Sequence, residues 1–242
     1  MTPFSLPGCA QLDARQPTAV TIEVVHFDLN DSSHDQFLSG LSADERARAS
    51  RYKFDRDRIR YTRGRGVLRD ILAKRVGIAA DEIALGYGPK DKPFLANGHL
   101  HFNVAHSENV AVVAISHREL GIDVELLREG FADDTIAERF FAPTEVQQLR
   151  ALPVSDQEPA FFRCWTRKEA YLKAIGDGLS IPLDDFTVEF ASTRQPSITW
   201  IRNRPDEPQR WTVIDCSEQL NCNATAAIAI RDSIPTVQFS RR

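Results

Sequence analysis

A chain of 242 residues with 42% hydrophobic and 26% charged residues carries enough apolar side chain for one large core or two smaller ones, as a soluble globular protein does. Its net charge of −4 argues against a general nucleic-acid binder. No apolar run reaches the about 18 residues that span a bilayer, and the opening M-T-P-F-S-L-P-G lacks the basic and apolar regions of a signal peptide, so the expected location is the cytoplasm, away from membranes.

The first 20 residues, punctuated by Pro and Gly, are expected to be irregular, and T-I-E-V-V-H-F-D-L (21–29) then alternates as a strand. A helix opens at Ser42, whose hydroxyl forms a capping box with Glu45 three residues on. A second helix, 57–75, has apolar positions at Ile59, Val67, Leu68, Ile71 and Leu72 and ends at Gly77. Its other face is almost all arginine, which makes 46–75 a basic stretch and keeps local anion binding open. Residues 83–103 read as strand, turn (G-P-K-D-K-P) and strand. V-A-V-V-A-I-S (110–116) and E-L-G-I-D-V-E-L (119–126) read as two adjacent strands joined by a short turn at His117 and Arg118. Helices follow at 134–141, 144–152 and 157–175, the last closed by Gly176 and Gly178, then strands at 186–190, 198–201, 211–214 and 224–230. Two α+β halves, 1–118 and 119–242, are the simplest account. Cys9, Cys164, Cys216 and Cys222 have neither C-x-x-C spacing nor nearby histidines, which predicts reduced structural thiols.

The residues that carry chemistry lie mostly in the second half. In G-I-D-V-E (121–125) an extended backbone sends Ile122, Val124 and Leu126 to one face and Asp123 and Glu125 to the other. Two like charges held side by side repel unless a cation or positive partner sits between them. In W-T-R-K-E-A-Y-L-K-A (165–174), Glu169 and Lys173 are one turn apart on one helix face, and alone they would read as a solvated ion pair. Brought to the D-x-E strand, Glu169 would complete a three-oxygen site of the kind magnesium prefers. The arginine-rich helices and Lys90 or Lys92 could supply charge for a phosphate there. In H-L-H-F-N-V-A-H-S (99–107), His99, His101 and His106 lack the cysteine or spaced histidine that would complete a zinc site, whereas His106 could donate to a phosphate. Phe140 and Phe141 are adjacent and cannot share a helix face, so one is expected in the core. Two other classes stay open on these residues alone. One is a magnesium-dependent nuclease or phosphodiesterase, disfavoured by the acidic balance and by the lack of an aromatic-interleaved basic groove; the other is a binding module without turnover.

Taken in order, D-K-P (91–93), F-N-V-A-H-S (102–107), G-I-D-V-E (121–125), R-F-F-A-P-T-E (139–145) and F-F-R-C-W-T-R-K-E-A-Y-L-K-A-I-G-D-G-L (161–179) resemble the 4′-phosphopantetheinyl transferases of the surfactin-synthetase-activating type. The resemblance spans residues 40 to 190. It implies an α+β fold of two pseudo-symmetric halves, each an antiparallel sheet packed on a long helix, with coenzyme A bound between them. It implies that Asp123, Glu125 and Glu169 hold Mg²⁺ against the coenzyme's pyrophosphate, and that Lys92, His106 and Lys173 contact its phosphates. Arg48 and Arg60 match basic coenzyme-binding positions of the first half. Where the family often has serine before the histidine this chain has Ala105, so a hydroxyl contact is expected to be missing there and a backbone N–H to replace it. The implied activity of this monomer is Mg²⁺-dependent transfer of the phosphopantetheine arm to a serine of an apo acyl or peptidyl carrier protein, releasing adenosine 3′,5′-bisphosphate. Glu169 and Lys173 are the implied catalytic pair.

Overall fold

The computed structural model describes residues 18–96, 98–128, 130, 134–176, 181–191 and 196–242. In chain order, β1 (Thr18–Asp28) leads through α1 (Ala43–Ala49) to α2 (Asp55–Val76) and a short hairpin, β2 (Leu85–Tyr87) and β3 (Pro93–Leu95). Then come β4 (His101–Ser107), β5 (Val110–Ser116), β6 (Leu120–Leu126), α3 (Asp134–Phe140), α4 (Pro143–Ala151) and α5 (Val154–Ile175). The chain closes with β7 (Phe186–Val188), β8 (Ile198–Ile201), β9 (Trp211–Asp215), β10 (Ala224–Arg231) and β11 (Ser233–Arg241). Cys9, Gly178 and residues 1–17 of the expected irregular opening lie outside the described residues, whereas 18–20, expected to be irregular, already belong to β1.

The period-two pattern of the strands builds a mixed α+β architecture in four layers. One sheet runs β11-β1-β5-β4 and the other β6-β10-β9. Both are antiparallel except for the outer β1–β11 pair, which is parallel. Ile22 and Val24 of β1 and Val112 and Ala114 of β5 pack against Ile122 and Val124 of β6 and Ala226 and Ile228 of β10, forming the core between the sheets. Side chains of the opposite parity, such as Val25, Phe27 and Val113, pack on Val67, Leu68, Ile71 and Leu72 of α2. Ala227 and Ala229 of β10 belong in the same way to a core that includes Phe161, Ala170 and Leu172 of α5.

Three features differ from the sequence reading. β5 and β6 are consecutive but do not pair, because the link at 117–119 carries the chain from one sheet to the other, where β6 pairs with β10. β11 lies beyond the strands expected from the sequence, which end at 230, and its Pro235 is tolerated because β11 is the outermost strand of its sheet. The arginine face of α2 is not a uniform solvent-facing surface. Arg69 and Arg65 reach the capping-box carboxylate Glu45 at 2.5 and 2.6 Å and so tie α1 to α2, while buried Arg63 pairs with Asp31 at 3.2 Å. As expected, Phe141 is in the core; Phe140 is half-buried, edge-on to Trp165. Cys164 and Cys216 are buried free thiols, and Cys222 is exposed.

Helix α5 lies directly on β6 at Gly121. A Cβ there would stand 2.1 Å from the Ala170 carbonyl oxygen and 2.4 Å from the Ala174 nitrogen, both backbone atoms that no rotamer change can move. Gly121→Ala is therefore expected to lower stability by about 3 kcal/mol or more, because the whole helix must lift. A urea titration reads this directly, and an unchanged midpoint would show that α5 is not seated on this strand.

Candidate active site

The close seat of α5 on β6 turns the polar face of the strand into a site. Asp123, two residues past Gly121 on the same face, is only 5% exposed. Its Oδ1 accepts a hydrogen bond from Lys173 Nζ at 2.6 Å, and its Oδ2 is buried with no partner among the described residues. Burial pushes the Asp123 carboxyl up to about 7; Lys173 opposes this and the negative neighbours Glu169 and Glu125 add to it. Glu169, one turn before Lys173 on α5, is also raised, chiefly by burial. Glu125 accepts from Ser107 Oγ at 2.7 Å. A strand pair of acids and a helix-borne acid thus share one partly desolvated region with the Lys173 ammonium on Asp123 and the Arg128 guanidinium 3.8 Å from Glu125 Oε2.

Beside it runs a groove under α2. One part, a cavity of about 490 Å³, is lined by Arg48, Tyr52, Arg60, Tyr61, Arg65 and His106 among others. The rings of Tyr52 and Tyr61 are 5.3 Å apart, and the Arg48 guanidinium lies over Tyr61 at 5.2 Å. A second part, of about 540 Å³, shares Arg60 and His106 with the first and reaches Ser107 and Glu125. Burial, and then Lys173, lower the His106 pKa, so the ring is neutral at pH 7 with one N–H to donate. The aromatic rings interleaved with arginines have no continuous sequence signal, because Tyr52, in the link between α1 and α2, meets Tyr61 and Arg65 of α2 only in the fold.

Of the residues singled out from the sequence, Asp123, Glu125, Glu169 and Lys173 meet at the α5–β6 contact, while His106, Arg48 and Arg60 line the adjoining groove. Lys92 is turned elsewhere. Its ammonium donates to the Lys173 carbonyl at 2.5 Å, and it lines a different cavity, with Glu119 and Gly176. The expected loss at Ala105 has a different meaning in the fold: its side chain lies in the core between the sheets, facing away from His106, so a hydroxyl there would not enter the groove. Ser107 and Asn103 were given no role beforehand, although their i, i+4 spacing on one strand puts them on the same face. His99 and His101 are exposed.

Among the described residues no group of three or more His, Cys, Asp or Glu side chains is already arranged to hold a metal ion. The donor chemistry nevertheless fits a hard divalent cation: all three candidates are carboxylates, two have raised proton affinity, and the buried Oδ2 of Asp123 lacks any partner.

A family model described as the 4′-phosphopantetheinyl transferase superfamily matches residues 119–229, and one described as 4′-phosphopantetheinyl transferase, N-terminal, matches 28–118. The 4′-phosphopantetheinyl transferase HetI of Nostoc sp. is 36% identical over 210 residues, covering 85% of each chain. A 4′-phosphopantetheinyl transferase of Bacillus subtilis is 34% identical over 70% of this chain and 75% of its own. The enzyme Sfp of Bacillus subtilis strain 168 is 29% identical over the same shares.

The burial of Asp123 has a pH signature in protein freed of divalent cations. A carboxyl whose folded pKa stands above its unfolded value of 3.8 favours the folded state only while protonated, so its cost grows as pH rises from about 4 and is fully present above about 7. Asp123→Asn keeps the acceptor for Lys173 and removes that cost. The variant is expected to be more stable than wild type by roughly 2–4 kcal/mol above pH 8, with the gap closing below pH 4. Thermal melts in chelator across this range check it, and a pH-independent difference would contradict it.

Proposed function

The chain belongs to the 4′-phosphopantetheinyl transferase superfamily, and on that premise we propose that the carboxylates at the α5–β6 contact and the basic groove beside them form one active site, which takes coenzyme A and an apo carrier protein. The observation that carries this reading is the buried, unpartnered Oδ2 of Asp123 beside Glu125 and Glu169, at the end of a groove whose aromatic rings and arginines suit a planar base bearing phosphates.

In this reading Asp123, Glu125 and Glu169 would hold Mg²⁺, which when bound supplies positive charge to the pyrophosphate of the coenzyme. Arg48 and Arg60, with the His106 N–H, bind the phosphates of the adenosine end, while Tyr52 and Tyr61 offer a stacking surface to its base. Lys173, released from Asp123, neutralises charge on the phosphate oxygens. Lys92 is the reserve cation: burial lowers its pKa, and it can serve a phosphate only by giving up the Lys173 carbonyl. The carrier's serine oxygen attacks the β-phosphorus of coenzyme A. A new P–O bond forms, the bond from that phosphorus to the bridging oxygen breaks, and adenosine 3′,5′-bisphosphate leaves with the electron pair. Glu169 takes the serine proton, directly or through a water.

Incubation with coenzyme A, Mg²⁺ and a panel of apo acyl and peptidyl carrier proteins, followed by weighing the carriers, tests the proposal. At least one carrier is expected to gain the mass of the phosphopantetheine arm, and Glu169→Ala is expected to slow the gain by about 100-fold or more. No gain on any carrier, or a wild-type rate in the variant, would overturn it.

A further inference from the structure

The two sheets meet along β4 and β6, which lie side by side without pairing as strands. Two side chains of β4 supply the bridges instead. Asn103 Oδ1 accepts the Ile122 N–H at 2.8 Å, and Ser107 Oγ accepts the Leu126 N–H at 3.2 Å. The Ser107 hydroxyl also donates to Glu125 Oε2 at 2.7 Å. These two bonds are not independent. A hydroxyl has one proton to give, and an N–H can only donate, so the Leu126 N–H forces the Ser107 proton away from the strand backbone and toward the carboxylate. Ser107 is 5% exposed, which limits competition from water for either bond. One oxygen of Glu125 is thereby tied to the backbone of its own strand through a residue of the other sheet. The Arg128 guanidinium also stands 3.8 Å from that oxygen, while the second oxygen, Oε1, accepts no hydrogen bond among the described residues.

We infer that Ser107 is a positioning residue for cation binding: its hydroxyl orients Glu125 so that one oxygen is anchored and the other is presented to the divalent ion. The inference rests on the proposed role of Glu125 and extends it to a residue that touches neither substrate nor ion. It also gives the end of β4 a double use. His106 and Ser107 are successive residues on opposite faces, one lining the coenzyme groove and the other setting the carboxylate. Asn103 is the internal control, because it makes the same kind of bridge four residues away with no hydrogen bond to an acid among the described residues.

Mn²⁺ binding, followed by electron paramagnetic resonance with saturating coenzyme A and no carrier protein, tests this apart from turnover. Ser107→Ala is expected to weaken Mn²⁺ binding by about 10-fold, in the range found when partners of metal ligands are removed. Ser107→Thr keeps the hydroxyl and is expected to stay within about 3-fold of wild type, while Asn103→Ala lowers Tm but moves Mn²⁺ affinity by less than about 2-fold. If the alanine variant does not fold, Ser107→Cys, a weak donor of similar size, carries the same expectation as alanine. Folded Ser107→Ala or Ser107→Cys with wild-type Mn²⁺ affinity would overturn the inference, as would equal weakening in Asn103→Ala. A wild-type protein that bound no Mn²⁺ would overturn the cation reading itself, and this inference with it.

Discussion

The geometry of the proposed site depends on how closely the backbone of α5 approaches β6. With no side chain at Gly121, the turn from Ala170 to Ala174 rests on the strand itself. That contact sets the spacing between strand-borne and helix-borne groups, so that Lys173 reaches Asp123 within a hydrogen bond and Glu169 lies close enough to raise the proton affinity of Asp123. The adjacent turn of the helix is locked from its other side. Lys168, fully buried, pairs with Glu145 at 2.7 Å and donates to the Leu183 and Phe186 carbonyls, while Glu145 also accepts the Val188 N–H. A buried pair with its remaining hydrogen bonds satisfied is costly to break and fixes the rotation of α5 about its axis, one residue before Glu169. Rotation set on one side and height set on the other leave the helix little freedom.

Stability and function pull in opposite directions at this contact. Burying Asp123 beside two other carboxylates destabilises the fold, and the one ammonium that offsets it satisfies only one of its two oxygens. Natural proteins tolerate such sites when the surrounding structure over-determines them. Here the surroundings are three separate cores, one between the sheets and one under each long helix, together with the side-chain bridges across the β4–β6 seam. The seam also explains how one short strand, β4, can serve both the groove and the carboxylates.

What was readable beforehand was local. The capping box at Ser42 and Glu45, the alternation that put Asp123 and Glu125 on one face, and the helical spacing of Glu169 and Lys173 all follow from periods of 2 and 3.6, and all appear in the structure. What was hidden depends on partners distant in sequence. Nothing near Pro235 indicates that β1 awaits a parallel neighbour more than 200 residues later. An arginine bound for Glu45 looks, in sequence, the same as one bound for a phosphate, so the basic stretch could not be divided into Arg69, which holds α1, Arg48 and Arg60, which line the groove, and Arg65, which does both. Ala105 reads as a lost contact until the strand's parity turns it into the core. The motif F-N-V-A-H-S likewise gave no sign that its Asn and final Ser stitch two sheets together.

The claim that the α5–β6 contact is the reaction centre is tested most directly by growing crystals with coenzyme A and Mn²⁺ and locating the metal by its anomalous scattering. The account predicts one strong peak in contact with Asp123, Glu125 and Glu169, with the pyrophosphate on its open side and the adenosine end under α2 beside Tyr52 and Tyr61. A peak away from these carboxylates, or coenzyme A bound outside the α2 groove, would contradict it.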